Sequence, residues 1–322
     1  MSTKTKYELK LGPATREAFG KALVELGHSN PNVVALDADL SKSTYTAEFG
    51  KQFPDRFVEC GIAEMKMVGI GAGLASAGKI PFVSSFSVFL LNKGFEQLRV
   101  TAAFPNVNLK AVGTHSGISI GEDGPSQMSI EDLSLACSLA GFVVLCPADE
   151  IAMIKLVHAA AEHVGPLFIR AGRAKAPVIY GADQEFTIGK SIQLTEGSDV
   201  TLIATGLLVA ESIRAAETLE AEGISARVID MHTIKPLDRD AIEKAARETG
   251  ALVVSEEHLV DGGLGVRVAQ VAAETHPVPM EFVGIHNTYA ESGPPEALLD
   301  KYGLIARDVA EAARRVLKRK RP

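Results

Sequence analysis

Cysteine is scarce and unpatterned. Cys60, Cys137 and Cys146 make three, an odd count, and no two of them stand in a CxxC spacing. That excludes a disulfide scaffold and a structural zinc site. Basic charge is not in excess either. Lys and Arg number 33 against 40 Asp and Glu, a formal net charge of −7, whereas a nucleic-acid-binding chain carries a basic footprint. The basic run at the end, "RRVLKRKRP", reads as a solvated helix end. Long apolar stretches are missing. Lys79 and Pro81 interrupt the greasiest region, and no run reaches the length of a membrane span. The opening "MSTKTKYELK" is polar and does not read as a signal peptide. There is no Walker loop. "GIGAG" at Gly69–Gly73 fails the GxGxxG spacing because Leu74 holds the last position, so close helix packing accounts for it better. These absences point to a cytosolic protein that engages neither nucleic acid nor membrane.

What is present is ample apolar material, 46% of 322 residues, enough for two ordinary α/β domains. "ATREAFGKALVELG" is an amphipathic helix and "NVVALDADL" a buried strand. A helix beginning near Ile62, strand "IPFVSSF", helix "FEQLRVTAAF" and strand "NLKAVGTHSG" follow. Next come helix "SIEDLSLACSLAG", strand "FVVLCPAD", helix "EIAMIKLVHAAAEH" and strand "PLFIRAG". Strands alternating with helices predict a mainly parallel sheet covered on both faces. The pattern loosens from Gly181 to Ser198 and restarts at "VTLIATG". The expected fold is α/β with two domains, residues 1–185 and 195–322, each a mainly parallel sheet flanked by helices. "GGLG" near Gly262 reads as a strand-to-helix turn. In such sheets ligands sit beyond the carboxyl ends of the strands. Asp37, Asp39, Ser43, Phe86, His115, Asp123 and Arg170 stand at those ends, all in the first domain.

Taken singly, these residues have ordinary explanations. Glu64 suits the first turn of a helix, where the macrodipole stabilises a carboxylate. His115 is a loop histidine, Asp123 a turn aspartate, and Arg16 and Arg170 partners in surface ion pairs. Their order and spacing say more. "DADLSKST", "RFVECGIAEMKMV", "SSFSVFLLNKGFEQLR", "GTHSGISIGEDGPSQMSIEDL" and "PLFIRAGRAKAPVIY" together resemble the pyrimidine-binding domain of the transketolase family. "ARVIDMHTIKPLD" and "SEEHLVDGGLG" resemble that family's C-terminal domain. The GDG motif of the family's diphosphate-binding domain is missing, and there is no room for another domain before residue 14. The chain therefore resembles the C-terminal subunit of a split transketolase.

The resemblance implies thiamine diphosphate as cofactor, with Mg²⁺ (or Ca²⁺) and the diphosphate held mainly by a separate N-terminal subunit and no metal held by this chain. It implies an assembly with two copies of each subunit and sugar substrates. Glu64 would bond the pyrimidine ring nitrogen, which answers why a glutamate opens so apolar a helix: burying a carboxylate is costly without a partner. Phe86 or Phe89 would stack on the pyrimidine, the choice left open, with Asp39 also at the cofactor. His115 would stand near the reacting carbonyl and Asp123 would bond a substrate hydroxyl. Gln127 occupies a position where many members have histidine, and glutamine cannot titrate. His115 and Gln127 join Glu64 as the implied catalytic set. Arg16, Ser43 and Arg170 would bind a sugar-phosphate tail, and Arg173 either assists or pairs with a nearby acid. The second domain would serve packing and dimer contact, with His258 and Lys235 structural. The rival expectations are a β-type subunit of a 2-oxo-acid dehydrogenase, a deoxyxylulose-phosphate synthase-like enzyme, and a scaffold without catalysis.

Overall fold

The computed structural model describes residues 7–320. The readings made of residues 1–6 and of Arg321 and Pro322 lie outside the described residues. The strands are β1 (Leu11–Ala14), β2 (Val33–Asp37), β3 (Phe57–Glu59), β4 (Ile80–Phe86), β5 (Lys110–Thr114), β6 (Val143–Leu145) and β7 (Leu167–Arg170). They continue as β8 (Lys175–Pro177), β9 (Ile192–Thr195), β10 (Val200–Ala204), β11 (Ala226–Asp230), β12 (Thr233–Lys235), β13 (Leu252–Leu259) and β14 (Met280–Ile285). Among the described residues the first sheet runs β12-β6-β7-β5-β4-β2-β3, parallel except for β12. The second runs β14-β13-β10-β11-β9, parallel except for β9. β1 and β8 form a separate antiparallel pair.

The central strands are unbroken apolar runs because helices cover both faces. β2, "VVALD", and β10, "VTLIA", are buried at every position. Helix Glu64–Ser76 lies close over β4 because Gly71 leaves room: a Cβ there would sit 2.6 Å from Val83 Cγ1. The packing account of the glycine run holds at that residue. One helix starts earlier than its sequence suggests. Ser87 opens a helix directly at the end of β4, and it runs through a π-helical turn at Leu98–Ala103. This places Phe89 on a helix at the end of its strand.

The two domains are not independent. β12 returns to the edge of the first sheet and pairs with β6, Thr233 opposite Leu145. Lys235 Nζ donates to the carbonyls of Cys137 and Leu139 at 2.9 and 2.6 Å, closing the end of helix Asp132–Ser138. One apolar cluster runs from Leu133 and Val144 to Ile203, Ile229 and Ile234. Each fully buried aliphatic side chain there contributes about 1.5–3 kcal/mol relative to exposure. β9 starts at Ile192 and belongs to the second sheet. The "GGLG" turn is a helix start: Glu256 accepts from the backbone N–H of Leu264 and Gly265 at 2.7 and 2.8 Å.

In the first sheet β2 pairs with β3 on one side and β4 on the other. The connections reverse direction there, which opens a crevice beyond the carboxyl ends. Asp39 and Ser43 follow β2, Glu64 follows β3, Phe86 ends β4, His115 follows β5 and Arg173 follows β7.

Candidate active site

Glu64 is the first residue of its helix and only 3% exposed. Its Oε2 lies 3.7 Å from Lys93 Nζ, an ion pair too long for a hydrogen bond. Among the described residues it has no hydrogen-bond donor. Lys93 Nζ also sits 4.7 Å from the centre of the Phe89 ring, four residues earlier on the same helical turn. Glu64, Lys93 and Phe89 therefore form one cluster. Ile62 and Met65, on either side of Glu64, are 76% and 53% exposed.

Phe86 and Phe89 have different surroundings. Phe86 is buried, with its ring stacked on the His115 imidazole at 3.7 Å and against Phe89 at 5.7 Å. Phe89 is half-buried and shares the Lys93 ammonium with the glutamate.

His115 is buried with φ at 58°. Its Nδ1 is 2.9 Å from Thr114 Oγ1, and its Nε2 is 3.2 Å from Arg16 Nη1. A guanidinium only donates, so Nε2 accepts and the ring proton sits on Nδ1. Burial lowers the His115 pKa to about 3, with the Arg16 and Arg173 charges adding to the effect. The imidazole is neutral at physiological pH. Arg16 Nη1 also donates to the Ser43 carbonyl at 2.8 Å, and its guanidinium lies over the Tyr45 ring. Burial pulls the Arg16 pKa down, and its Nε is buried without a hydrogen-bond partner.

Arg173 is half-buried, donating to the Ile120 carbonyl at 2.6 Å and the Glu122 carboxylate at 3.0 Å. Asp123 is exposed on a short 3₁₀ turn, Gly121–Asp123, near enough to act on the Arg16 charge. Gln127 is half-buried, and its side-chain carbonyl accepts from the Ser126 hydroxyl. Asp39 is exposed with φ at 64°, its N–H held by Glu59 Oε1 at 2.8 Å. Asp37 faces inward instead. It accepts from Leu40 N and the hydroxyls of Thr44 and Thr46, and burial raises its pKa to about 6.

Arg170 does not stand where the resemblance placed it. It is buried, with Nε bonded to Asp132 Oδ2 at 2.8 Å and Nη2 donating to the carbonyls of Ser129 and Glu257. Arg170 is the last residue of β7, and its side chain turns inward to the buried Asp132 carboxylate instead of out past the strand end. Arg173 lies beyond the strand end, in the loop, and joins Arg16 and His115. That signal was present in "FIRAGR", where the strand period ends before the second arginine. Lys93 was legible as four residues from Phe89, but its contact with Glu64 was not. Glu257 was missed altogether. It comes from the second domain and accepts from Ser119 N at 2.6 Å, in the loop between His115 and Asp123. His258 is buried against Asp132, Ser134 N and the Leu259 carbonyl.

Among the described residues no group of three or more His, Cys, Asp or Glu could hold a metal ion. No helix of the described residues is long and apolar enough to cross a membrane. Cys60, Cys137 and Cys146 are buried free thiols.

Comparison with known proteins gives this crevice a lineage. Residues 12–178 match the transketolase pyrimidine-binding domain, and residues 189–309 match the transketolase C-terminal domain. A 6-deoxy-6-sulfo-D-fructose transketolase subunit, SqwH, of Clostridium sp. (strain MSTE9) is 39% identical over 315 residues, 98% of this chain and 98% of that protein. Transketolase of Homo sapiens is 39% identical over 305 residues, covering 94% of this chain but 48% of that protein. A solved structure titled "Split gene transketolase, inactive beta4 tetramer" is 49% identical, with a TM-score of 0.91 over 96% of this chain and 100% of that one. The chain belongs to the transketolase family, and its two domains are that family's pyrimidine-binding and C-terminal domains.

Proposed function

We propose that this chain is the C-terminal subunit of a split transketolase. With a separate N-terminal subunit it transfers a two-carbon ketol unit from a ketose phosphate to an aldose phosphate. The observation that carries the reading is Glu64: a buried carboxylate with no hydrogen-bond donor among the described residues, opening an apolar helix and linked through Lys93 to an aromatic ring. A protonated ring nitrogen is the partner such a carboxylate lacks. The residues present fit the pyrimidine half of thiamine diphosphate. Glu64 would hold the ring nitrogen and Phe89 would offer its face, while Phe86 backs His115. Asp39, beyond β2, closes the cofactor side. Thiamine diphosphate, when bound, supplies the nucleophilic carbon for ketol transfer. The diphosphate and Mg²⁺ (or Ca²⁺) fall to the N-terminal subunit.

Arg16 and Arg173 bind the anionic tail of the sugar, and Ser43 borders the same pocket. The buried, unpartnered Arg16 Nε is a donor awaiting an acceptor. A phosphate fits, and so does a sulfonate, since both are tetrahedral anions that a guanidinium can grip with two bonds. When Arg16 turns to that anion, His115 Nε2 is released as an acceptor for a sugar hydroxyl. Its neutral form, with the proton fixed on Nδ1 by Thr114, suits an acceptor rather than an acid. Asp123 bonds a substrate hydroxyl, and Gln127 orients one without moving a proton.

The exposed Ile62 and Met65, with the open helix face at Gly69 and Gly73, form the apolar surface that the N-terminal subunit covers. The assembly has two copies of each subunit and works in the cytosol. The test is to mix the purified chain with its N-terminal subunit, thiamine diphosphate and Mg²⁺ and measure ketol transfer from a ketose phosphate. Transfer by the complex and none by the chain alone is expected. Transfer by the chain alone, or decarboxylation of 2-oxo acids by the complex, would refute the proposal.

A further inference from the structure

The loop from His115 to Ile130 presents His115, Asp123 and Gln127, yet its backbone is fixed from the other domain. Ile118 and Ile120 are fully buried, packed into the same cluster as Leu202, Val253 and Val283 of the second sheet. Apolar contacts set how deep the loop lies but not how its backbone is turned, because they are not directional. Ser119, between these isoleucines, supplies the direction: its N–H is bonded by Glu257 Oε1 at 2.6 Å. Glu257 is buried in β13, and burial raises its pKa. Gly117 makes the approach possible. A Cβ there would fall 2.2 Å from the Glu257 carboxyl, and φ is +81°.

The far end of the loop is tied to the same strand. The Glu257 carbonyl accepts from Arg170 Nη2 at 2.9 Å, and that nitrogen also donates to the Ser129 carbonyl at 3.2 Å. Leu259 N donates to the Ile130 carbonyl at 2.8 Å. Behind the contact lies a cavity of about 20 Å³ bordered by Ser116, Arg170 and Glu257, room for one water.

We propose that Glu257 is a positioning residue for catalysis. The second domain's carboxylate turns the backbone of the loop that aims His115 and Asp123 at the sugar. This rests on the transketolase reading of the same site, and it gives the second domain a part in the reaction beyond packing.

The test compares Glu257→Gln with Glu257→Met in the complex with the N-terminal subunit. Glutamine keeps an acceptor for Ser119 N; methionine keeps the bulk and loses it. Met should lower kcat/KM for the donor ketose about 10- to 100-fold, the range expected when reacting groups shift by a fraction of an ångström to one. Gln should stay within roughly 3-fold of wild type, with thiamine diphosphate affinity unchanged in both, because the loop touches sugar and not cofactor. Met with wild-type kcat/KM, or Gln falling as far as Met, would overturn the proposal. Amide exchange at Ser119 in the unmodified chain is a second readout that needs no variant. Protection like that of the core is expected; exchange at the rate of an open loop overturns the proposal even if the Met variant fails to fold. A wild-type complex without ketol transfer would instead sink the functional reading, and the exchange result would still judge the clamp separately.

Discussion

Substituting the two arginines of "RAGR" separates an architectural charge from a binding one. Arg170 and Asp132 are both buried, 2.8 Å apart, and Asp132 also accepts from Ser87 Oγ at 2.8 Å. Burial disfavours both charges, yet the Arg170 guanidinium holds the Asp132 pKa below its usual value, and Asp132 raises that of Arg170 in return. Arg170→Met would leave Asp132 ionised in a low-dielectric core and unbind the Ser129 and Glu257 carbonyls. Breaking a buried pair in this way costs about 3–5 kcal/mol. For domains of this size that lowers Tm by about 2–4 °C per kcal/mol, or roughly 6–20 °C in all. Arg173→Met removes a solvent-screened pair with Glu122 and one bond to the Ile120 carbonyl, leaving no buried charge behind, so Tm should fall less than for Arg170→Met. It also removes one charge-assisted bond to the substrate anion, about 1.5–3 kcal/mol, which raises KM roughly 10- to 150-fold. Thermal unfolding of the chain and steady-state kinetics of the complex, run on both variants, read the two effects. An Arg170→Met variant that keeps its Tm and loses only sugar affinity would refute the assignment, as would the reverse behaviour of Arg173→Met.

Glu64→Gln should abolish ketol transfer in the complex while leaving the unfolding temperature of the chain unchanged, since the residue gives the fold little beyond a long ion pair with Lys93; turnover near wild type would favour a non-catalytic scaffold. Phe89→Leu should weaken thiamine diphosphate retention without loss of stability, whereas Phe86→Ala, which empties a buried site against His115, should cost about 3–5 kcal/mol in denaturant unfolding. Lys110 predicts a pH effect. It is buried, donates to the carbonyls of His163 and Gly165, and burial lowers its pKa from 10.5 to about 7. Between those values the unfolded chain holds a proton that the folded chain lacks, so stability from this residue rises with pH from about 7 to 10.5 and the full penalty applies below 7. The gap in unfolding free energy between Lys110→Met and wild type should therefore shift in favour of the variant as pH falls from 10 to 7, and a gap that stays constant across that range would count against a neutral lysine.

The strand and helix alternation was legible because a sheet covered on both faces demands unbroken apolar runs, and "VVALD" and "VTLIA" supply them. The site was partly legible for the same reason: chemistry gathers at strand ends, and Asp39, Ser43, Phe86 and His115 stand at or just past those ends in order, while Glu64 was picked out by resemblance. Arg170 does end its strand, but its side chain turns inward to Asp132, a partner 38 positions away that no local pattern specifies. Three residues separate an arginine in a core from one in a crevice. The return of β12 to the first sheet could not be read, since three residues of strand pair with β6 only once the second domain is in place.

Local sequence determined which segments are strands and helices, which faces are apolar, and that a glutamate opens a greasy helix. Those properties depend on neighbours a few residues apart. Tertiary structure decided which arginine meets His115, that Lys93 links Phe89 to Glu64, and that Glu257 grips Ser119 from 138 positions away. Such pairings form between side chains brought together by sheet order, and nothing in a single stretch of chain specifies its partner across the fold.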